Sequence, residues 1–345
     1  MKYINILLVL LNFAFIAQAQ DSSKIVSVIA VGDIMLGTDF PRDRLPASDG
    51  NYLLKEVNEI LRSSDITFGN YEGVLLDGGK PRKICKDTTK CYLFRTPTRY
   101  VDNLQEAGFD LVSIANNHSN DFGESGIQST IRSFEKVGIK YSGPIGKTSV
   151  YSVNGLSVGF IAFATSPGMY SILNISSAIE AVKKLKNEND IVIVSFHGGA
   201  EGVEALHVKN EKEIAYGEDR GNVVDFSHSV IDAGADLVIG HGPHVPRALE
   251  LYNTKLIAYS LGNFCTYEGF SLDGPKGLAP ILRVNLNSEG DFVNGSITSA
   301  KQTRPYGPLI DKDNQAAKLI RKLTLDDFPT TKLLINTDGG ITPNK

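Results

Sequence analysis

Four of the six histidines in this 345-residue chain, His118, His197, His241 and His244, stand in short loops of glycine, asparagine and proline that follow apolar runs. Asp33 and Glu72 occupy comparable places and add hard oxygen donors, and Asn117 adds a neutral one. Imidazole, carboxylate and amide donors together suit zinc, manganese or iron better than calcium or copper(I). Two such cations held close together could share a carboxylate and activate a water between them. The chemistry to expect is metal-dependent hydrolysis with one or two divalent ions. A lone strand-end histidine is more often a satisfied polar residue than a ligand. His197, His241 and His244, recurring in ordered motifs, read as ligands.

Such residues need elements to carry them. Short apolar runs alternate with amphipathic ones, the pattern of an α/β protein. Strands are expected at Ile25–Val31, Asp65–Phe68, Asp110–Ile114, Ser157–Phe163, Asp190–Phe196, Asp236–Ile239 and Lys255–Ser260, with further ones at Pro280–Leu286 and Phe292–Ile297. Helices are expected at Tyr52–Leu61, Ile127–Val137, Ile179–Leu185 and Val223–Ile231, with Gly138 and Gly234 as stops. Open α/β sheets bind ligands beyond the carboxyl ends of their strands. Six strand ends here lead into Gly32-Asp33, Gly69-Asn70-Tyr71-Glu72, Asn116-Asn117-His118, His197-Gly198, Gly240-His241-Gly242-Pro243-His244 and Leu261-Gly262-Asn263. No single motif is persuasive. Their ordered recurrence is.

Residues 1–19 combine Lys2, an apolar stretch from Ile6 to Ile16 and Ala17-Gln18-Ala19, which reads as a secretory leader. Its apolar stretch is short of the ~20 residues that span a bilayer. The mature chain is therefore expected in the periplasm or at the cell surface, with no integral membrane segment. Loss of Lys2 takes 35 basic residues to 34 against 39 acidic ones, a balance of −5. With no long basic run, nucleic acid is not an expected partner. Cys85 and Cys91 flank a polar loop and read as a disulfide in an oxidising compartment. Cys265, after an apolar run, reads as a buried thiol.

Taken in order, these strand-end motifs, with Phe94-Arg95-Thr96-Pro97 and Asn117-His118-Ser119-Asn120-Asp121-Phe122-Gly123, resemble the CapA family. The resemblance covers roughly residues 28–265 and is specific in its motif order. It implies a link to poly-γ-glutamate capsule synthesis, and hence an anionic polymer such as poly-γ-glutamate as partner. It also implies a fold similar to the calcineurin-like metallophosphoesterases: α/β, a four-layer α/β/β/α sandwich with two mixed sheets. A domain over 20–300 is expected, with 301–345 as a C-terminal extension. The extension holds a helix at Ala316–Leu323, and its tail from Asn336, rich in Gly, Thr, Pro and Asn, is expected to be disordered.

The resemblance assigns roles residue by residue. Asp33 matches the first metal ligand, although a strand-end aspartate can also simply cap a turn. The superfamily usually has histidine two residues on, where this chain has Met35, so one ligand is lost. Glu72 stands where a bridging aspartate is usual. Asn117 and His118 are similar to a pair in which asparagine ligates metal and histidine protonates the leaving group. Asp121 either orients His118 or closes an Asx-turn. His197, His241 and His244 match the later ligands. Asn70, Arg95, Arg247 and Asn263 are candidates to meet substrate, the arginines because a guanidinium fork fits a carboxylate. Glu201 and Glu204, just after His197, could face the site, but acidic loop residues are usually just solvated. A phosphoesterase, or a binding factor without catalysis, are the competing functions.

Overall fold

Runs of β-branched and aromatic residues buried on both faces build two sheets in the computed structural model, which describes residues 24–82 and 92–344. The leader at 1–19, Cys85 and Cys91 lie outside the described residues. Among the described residues the first sheet has nine strands. β1 (Val26–Met35) lies beside β2 (Ile66–Tyr71), then β3 (Leu111–Ser113) and β4 (Lys140–Ser142), all parallel.

The second sheet is seeded by an antiparallel pair, β5 (Ser149–Val153) and β6 (Leu156–Ala164). It continues in parallel through β7 (Ile191–His197) and β8 (Leu237–His241). A further pair, β9 (Leu249–Tyr252) and β10 (Lys255–Ala258), closes its far side. The chain then returns to the first sheet, where β11 (Asn263–Thr266) lies parallel to β1 and β12 (Ile281–Leu286) antiparallel to it.

Period-two alternation fixes which side chains face the middle. Ile191 and Ile193, with Leu237 and Ile239, enter the core between the sheets. Val192, Val194, Phe196 and Val238 face instead the helices Ile175–Glu188 and Val223–Asp232. His197 and His241 share the parity of the inward set, so both reach the space between the sheets at the strands' carboxyl ends. On the other flank, helices Val101–Ala107 and Gly123–Val137 bury Leu104, Ala107, Ile131 and Phe134. The result is the expected helix–sheet–sheet–helix sandwich with two mixed sheets.

The structure departs from expectation in one helix and adds elements elsewhere. Tyr52–Leu61 is helical only over Asn58–Leu61. Before it, successive three-residue turns bring Leu53, Leu54 and Val57 inward without a helix. The short helix Val101–Ala107, ended by left-handed Gly108, had too few residues to show a period. Residues 301–345, the C-terminal extension, contribute strands and a helix. β13 (Phe292–Thr298) pairs with β12 and with a strand made by the tail itself, β15 (Gly340–Pro343), which β14 (Leu333–Ile335) flanks. The helix Gln315–Asp327 buries Ala316, Ala317 and Ile320, and its Thr324 Oγ1 accepts from Leu249 N on the second sheet. Among the described residues no helix is long and apolar enough to cross a membrane.

Candidate metal centre

Asp33 is held at an irregularity in β1, flanked by Asn70 of β2 and Asn263 of β11. The backbones approach so closely that a Cβ on Gly32 would lie 2.0 Å from Gly262 O, which demands glycine there. Asp33 N donates to Gly262 O at 2.8 Å, and Asn70 Nδ2 donates to Asp33 Oδ1 at 2.8 Å. Glu72 follows β2, with its amide on Ile34 O at 2.9 Å. From the opposite sheet, the turn after β8 brings in His244. Its φ of +57° costs about 1–3 kcal/mol for a residue with a side chain. That strain aims Nδ1 at Asp33 Oδ2, 3.0 Å away, and at Asn263 Oδ1, 3.1 Å away. His244 Nε2 lies 3.7 Å from Glu72 Oε1.

One ligand atom from each of Asp33, Glu72 and His244 lies within 4.8 Å of the others. Glu72 is wholly buried, and neither carboxylate oxygen has a hydrogen-bond partner. Burial, aided by the charges of Asp33 and Glu201, pushes its carboxyl well above the usual range despite the nearby His244. Burial pushes Asp33 up too, but the hydrogen bond and charge of His244, with the charges of His241 and His197, bring it down to about 2. Burial pulls His244 down, and the Glu72 charge with the Asp33 hydrogen bond and charge outweighs it, carrying the ring up to about 10. Without a metal, Asp33 at 3.0 Å favours the protonated ring, and His244 gives up that proton to ligate a dication.

Burial holds His197 well below its ordinary value, hence neutral, with Nε2 buried and without a partner. Asn117 Oδ1 is likewise buried and unpaired. Buried polar atoms are rarely left unsatisfied, and here carboxylate, imidazole and amide atoms of Glu72, His197 and Asn117 are left so. That donor set fits a dication of the zinc, manganese or iron kind.

Beside these atoms His118 Nδ1 lies 2.7 Å from Asp121 Oδ2, which also accepts from Phe94 N at 2.9 Å. His118 Nε2 is turned the other way, 3.9 Å from Glu72 Oε1. The Phe94 ring packs on His118 at 4.2 Å between centroids, and Phe270 stacks on Phe94 and meets His244 edge-on, each at 5.0 Å. The turn itself is tied by Asn116, whose Oδ1 accepts from His118 N and whose Nδ2 donates to Tyr71 O.

Several sequence-predicted residues are occupied otherwise. His241 bridges the sheets, with Nε2 3.1 Å from Val31 O and Nδ1 3.4 Å from Ser195 Oγ, and its ring packs edge-on to Phe68. Arg247, expected to meet substrate, is wholly buried. It forks onto Glu213 at 3.0 and 2.7 Å and donates to the carbonyls of Ala205 and Ala200. Arg95 pairs with Asp39 at 2.6 Å and lies between the rings of Phe40 and Phe122. Asn70 is wholly buried behind Asp33. Asn263 fastens the His244 turn, donating to the carbonyls of His244 and Lys276. Each of these four is engaged by internal partners in the structure. His207 and His228 pair with Asp327 and Glu250, away from the centre.

Of two further residues at the centre, Glu201, left open by the sequence between facing the site and solvation, places Oε2 3.8 Å from His244 Nε2. Arg220 pairs with Glu201 at 3.2 Å and is 2% exposed. Its only sequence signal is its place in the long loop after His197.

The family described as bacterial capsule synthesis protein PGA_cap matches residues 27–268. The chain is 28% identical to the capsule biosynthesis protein CapA of Bacillus anthracis, over 87% of this chain and 73% of that one. It is equally similar to the PGA biosynthesis protein CapA of Bacillus subtilis strain 168, over 88% and 79%. Among solved structures, the 5'-nucleotidase precursor of Thermus thermophilus aligns with a TM-score of 0.42 at 13% identity, over 88% of this chain and 59% of that one. The Haemophilus influenzae NAD nucleotidase aligns with 0.41 at 12%, over 90% and 56%. The chain thus spans less than three fifths of the length of either nucleotidase. Since the matched segment holds every strand end that contributes to the centre, the chain belongs to the PGA_cap family of bacterial capsule synthesis proteins.

Proposed function

We propose that this protein is an exported, metal-dependent hydrolase that acts on an anionic envelope polymer of the poly-γ-glutamate kind during capsule synthesis. The observation that carries the reading is the Glu72 carboxylate, buried without hydrogen bonds beside Asp33 and His244. The relatives named for capsule and PGA biosynthesis support the polymer class. The leader-like residues 1–19 support export, and a Cys85–Cys91 disulfide suits an oxidising compartment.

Asp33, Glu72 and His244 would hold the ion, and His197 Nε2 and Asn117 Oδ1 are further donors without a partner. A zinc, manganese or iron dication supplies Lewis acidity and makes a water a competent nucleophile near neutral pH. His118 supplies the proton. Asp121 accepts from Nδ1–H and so fixes the ring, leaving Nε2 to deliver a proton to the departing nitrogen or oxygen. Phe94 and Phe270 wall His118 and His244 with apolar surface, which strengthens the electrostatics inside.

Met35 favours a second reading, a polymer-binding factor with little turnover. It stands where the superfamily's histidine is expected, and its sulfur accepts from Gly37 N at 3.2 Å instead of offering a ligand nitrogen. The deciding experiment measures metal content and cleavage of γ-linked glutamate oligomers, against a phosphoester panel, for the mature chain and its His118→Ala variant. Oligomer cleavage lost in the variant supports the hydrolase. Oligomer binding without cleavage supports the factor, and phosphoester turnover alone overturns the polymer assignment.

A further inference from the structure

Two arginines lie buried near the carboxyl ends of the second sheet, and they differ in one respect. Arg247 has Nε, Nη1 and Nη2 all committed to Glu213 and backbone carbonyls. Arg220, whose side chain is 3% exposed, uses only Nη2, set 3.2 Å from Glu201 Oε1 and 3.3 Å from Glu218 Oε2. Its Nε and Nη1 are buried and have no hydrogen-bond partner. A guanidinium cannot shed its proton to escape that situation. Desolvated, unpaired donors on a permanent cation are among the costliest groups a protein can bury.

The backbone of Arg220 is clasped where it stands. Its carbonyl accepts from Gly199 N at 2.9 Å, two residues beyond His197, and its amide donates to Glu213 O at 3.0 Å. Its charge reaches both Glu72 and His197. Glu201 links it onward, since the other oxygen of that carboxylate lies 3.8 Å from His244 Nε2. Arg220 directly follows the two-strand hairpin Ile214–Ala215 and Glu218–Asp219, whose turn carries Tyr216, 86% exposed. The cation is therefore one carboxylate, that of Glu201, away from His244 of the metal centre.

We propose that Arg220 is the substrate-recognition cation of this centre, donating from Nε and Nη1 to an oxyanion of the bound ligand. The oxyanion is the α-carboxylate of a γ-linked glutamyl unit beside the bond to be cleaved. This deepens the reading given above and rests on it. The chemistry explains why the donors are left open: a permanently charged planar group suits a carboxylate or a phosphate, and is more weakly hydrated than an ammonium. It also explains the neighbours. Glu201 and Glu218 pair with Nη2 by charge, while Glu218, exposed at 67%, moderates the charge seen by an arriving anion.

The test is calorimetric titration of the metal-loaded mature chain with a γ-linked glutamate tetramer, its α-carboxamide counterpart and inorganic phosphate. Metal content is measured on the same samples. Arg220→Gln should weaken tetramer binding at least about tenfold, the scale of a lost charge-assisted hydrogen bond. The carboxamide should bind the native chain and the variant alike, and metal content should not change. Arg220→Lys should recover part of the loss. Glu218→Gln, a surface change with little risk to folding, should tighten the tetramer several-fold. Undiminished tetramer binding by Arg220→Gln, absence of tetramer binding by the native chain, or loss of metal with the arginine would each overturn the proposal. Selective loss of phosphate binding would overturn the carboxylate assignment. The native chain's own metal content judges the metal centre separately.

Discussion

His118 and Asp121, three residues apart, meet through Nδ1 and Oδ2 at 2.7 Å, and this bond turns His118 Nε2 toward Glu72. The same oxygen of Asp121 accepts from Phe94 N, so the carboxylate anchors both the ring and the phenylalanine packed on it. Asp121→Asn should lower kcat on the cleaved polymer by about 10–100-fold, the usual effect of removing an orienting partner. Metal content and KM should change little. A fall in metal content equal to the fall in rate would show Asp121 to be structural instead.

Glu72 makes opposite demands on the metal-loaded and stripped protein. Glu72→Met removes two buried oxygens without partners and should stabilise the chelator-treated protein by about 1–3 kcal/mol. That gain appears as a Tm higher by several degrees. The same variant should lose metal binding. A lower Tm for the stripped variant would mean that the Glu72 carboxylate has internal partners.

Metal should be a folding ligand here as well as a reagent. A dication at a hundred times its Kd stabilises the native chain by about 2.7 kcal/mol. Thermal scans with and without chelator should show that difference. His244→Ala should abolish it, since His244 bonds Asp33 and faces Glu72. His241→Ala should lower Tm through loss of the bond to Val31 O, yet keep much of the metal-induced shift. Equal metal loss in both variants would return His241 to the ligand set.

Arg247 supports the fold rather than the ligand. Arg247→Met strands the Glu213 carboxylate and should cost about 3–5 kcal/mol in denaturant unfolding. Pairing it with Glu213→Leu should recover part of that cost, and kcat per folded molecule should hold in the double variant. A rise in KM for the polymer with no stability change would restore the substrate role.

Thiol counting separates the three cysteines. Burial pushes the Cys265 thiol up to about 12, so iodoacetamide should leave it unmodified in the native protein. In denaturant without reductant, one alkylated thiol is expected if Cys85 and Cys91 are joined. Three would show that pair to be open.

Much of this was legible in the sequence, because it is local. The expected strands appear within a few residues of their apolar runs, and β1 and β8 extend further only to deliver Asp33 and His241. The motif residues at each strand end were also visible, since a sheet's topology sends successive carboxyl ends to one edge. The tail's pairing was hidden because its Gly, Pro and Asn are poor strand formers; it forms β15 by pairing with β13.

The sequence by itself therefore determined the α/β class, the candidate donors and their order, which depend on patterns within a few residues of each other. Only the tertiary structure decided which donors meet. His241 and His244 are three residues apart, yet one bridges the sheets and the other faces Asp33, because a left-handed turn separates their directions. Arg247 and Arg220 are the same side chain, yet one is satisfied by Glu213 and the other keeps two open donors. Those outcomes depend on partners brought together across the fold, and spacing along the chain carries no record of them.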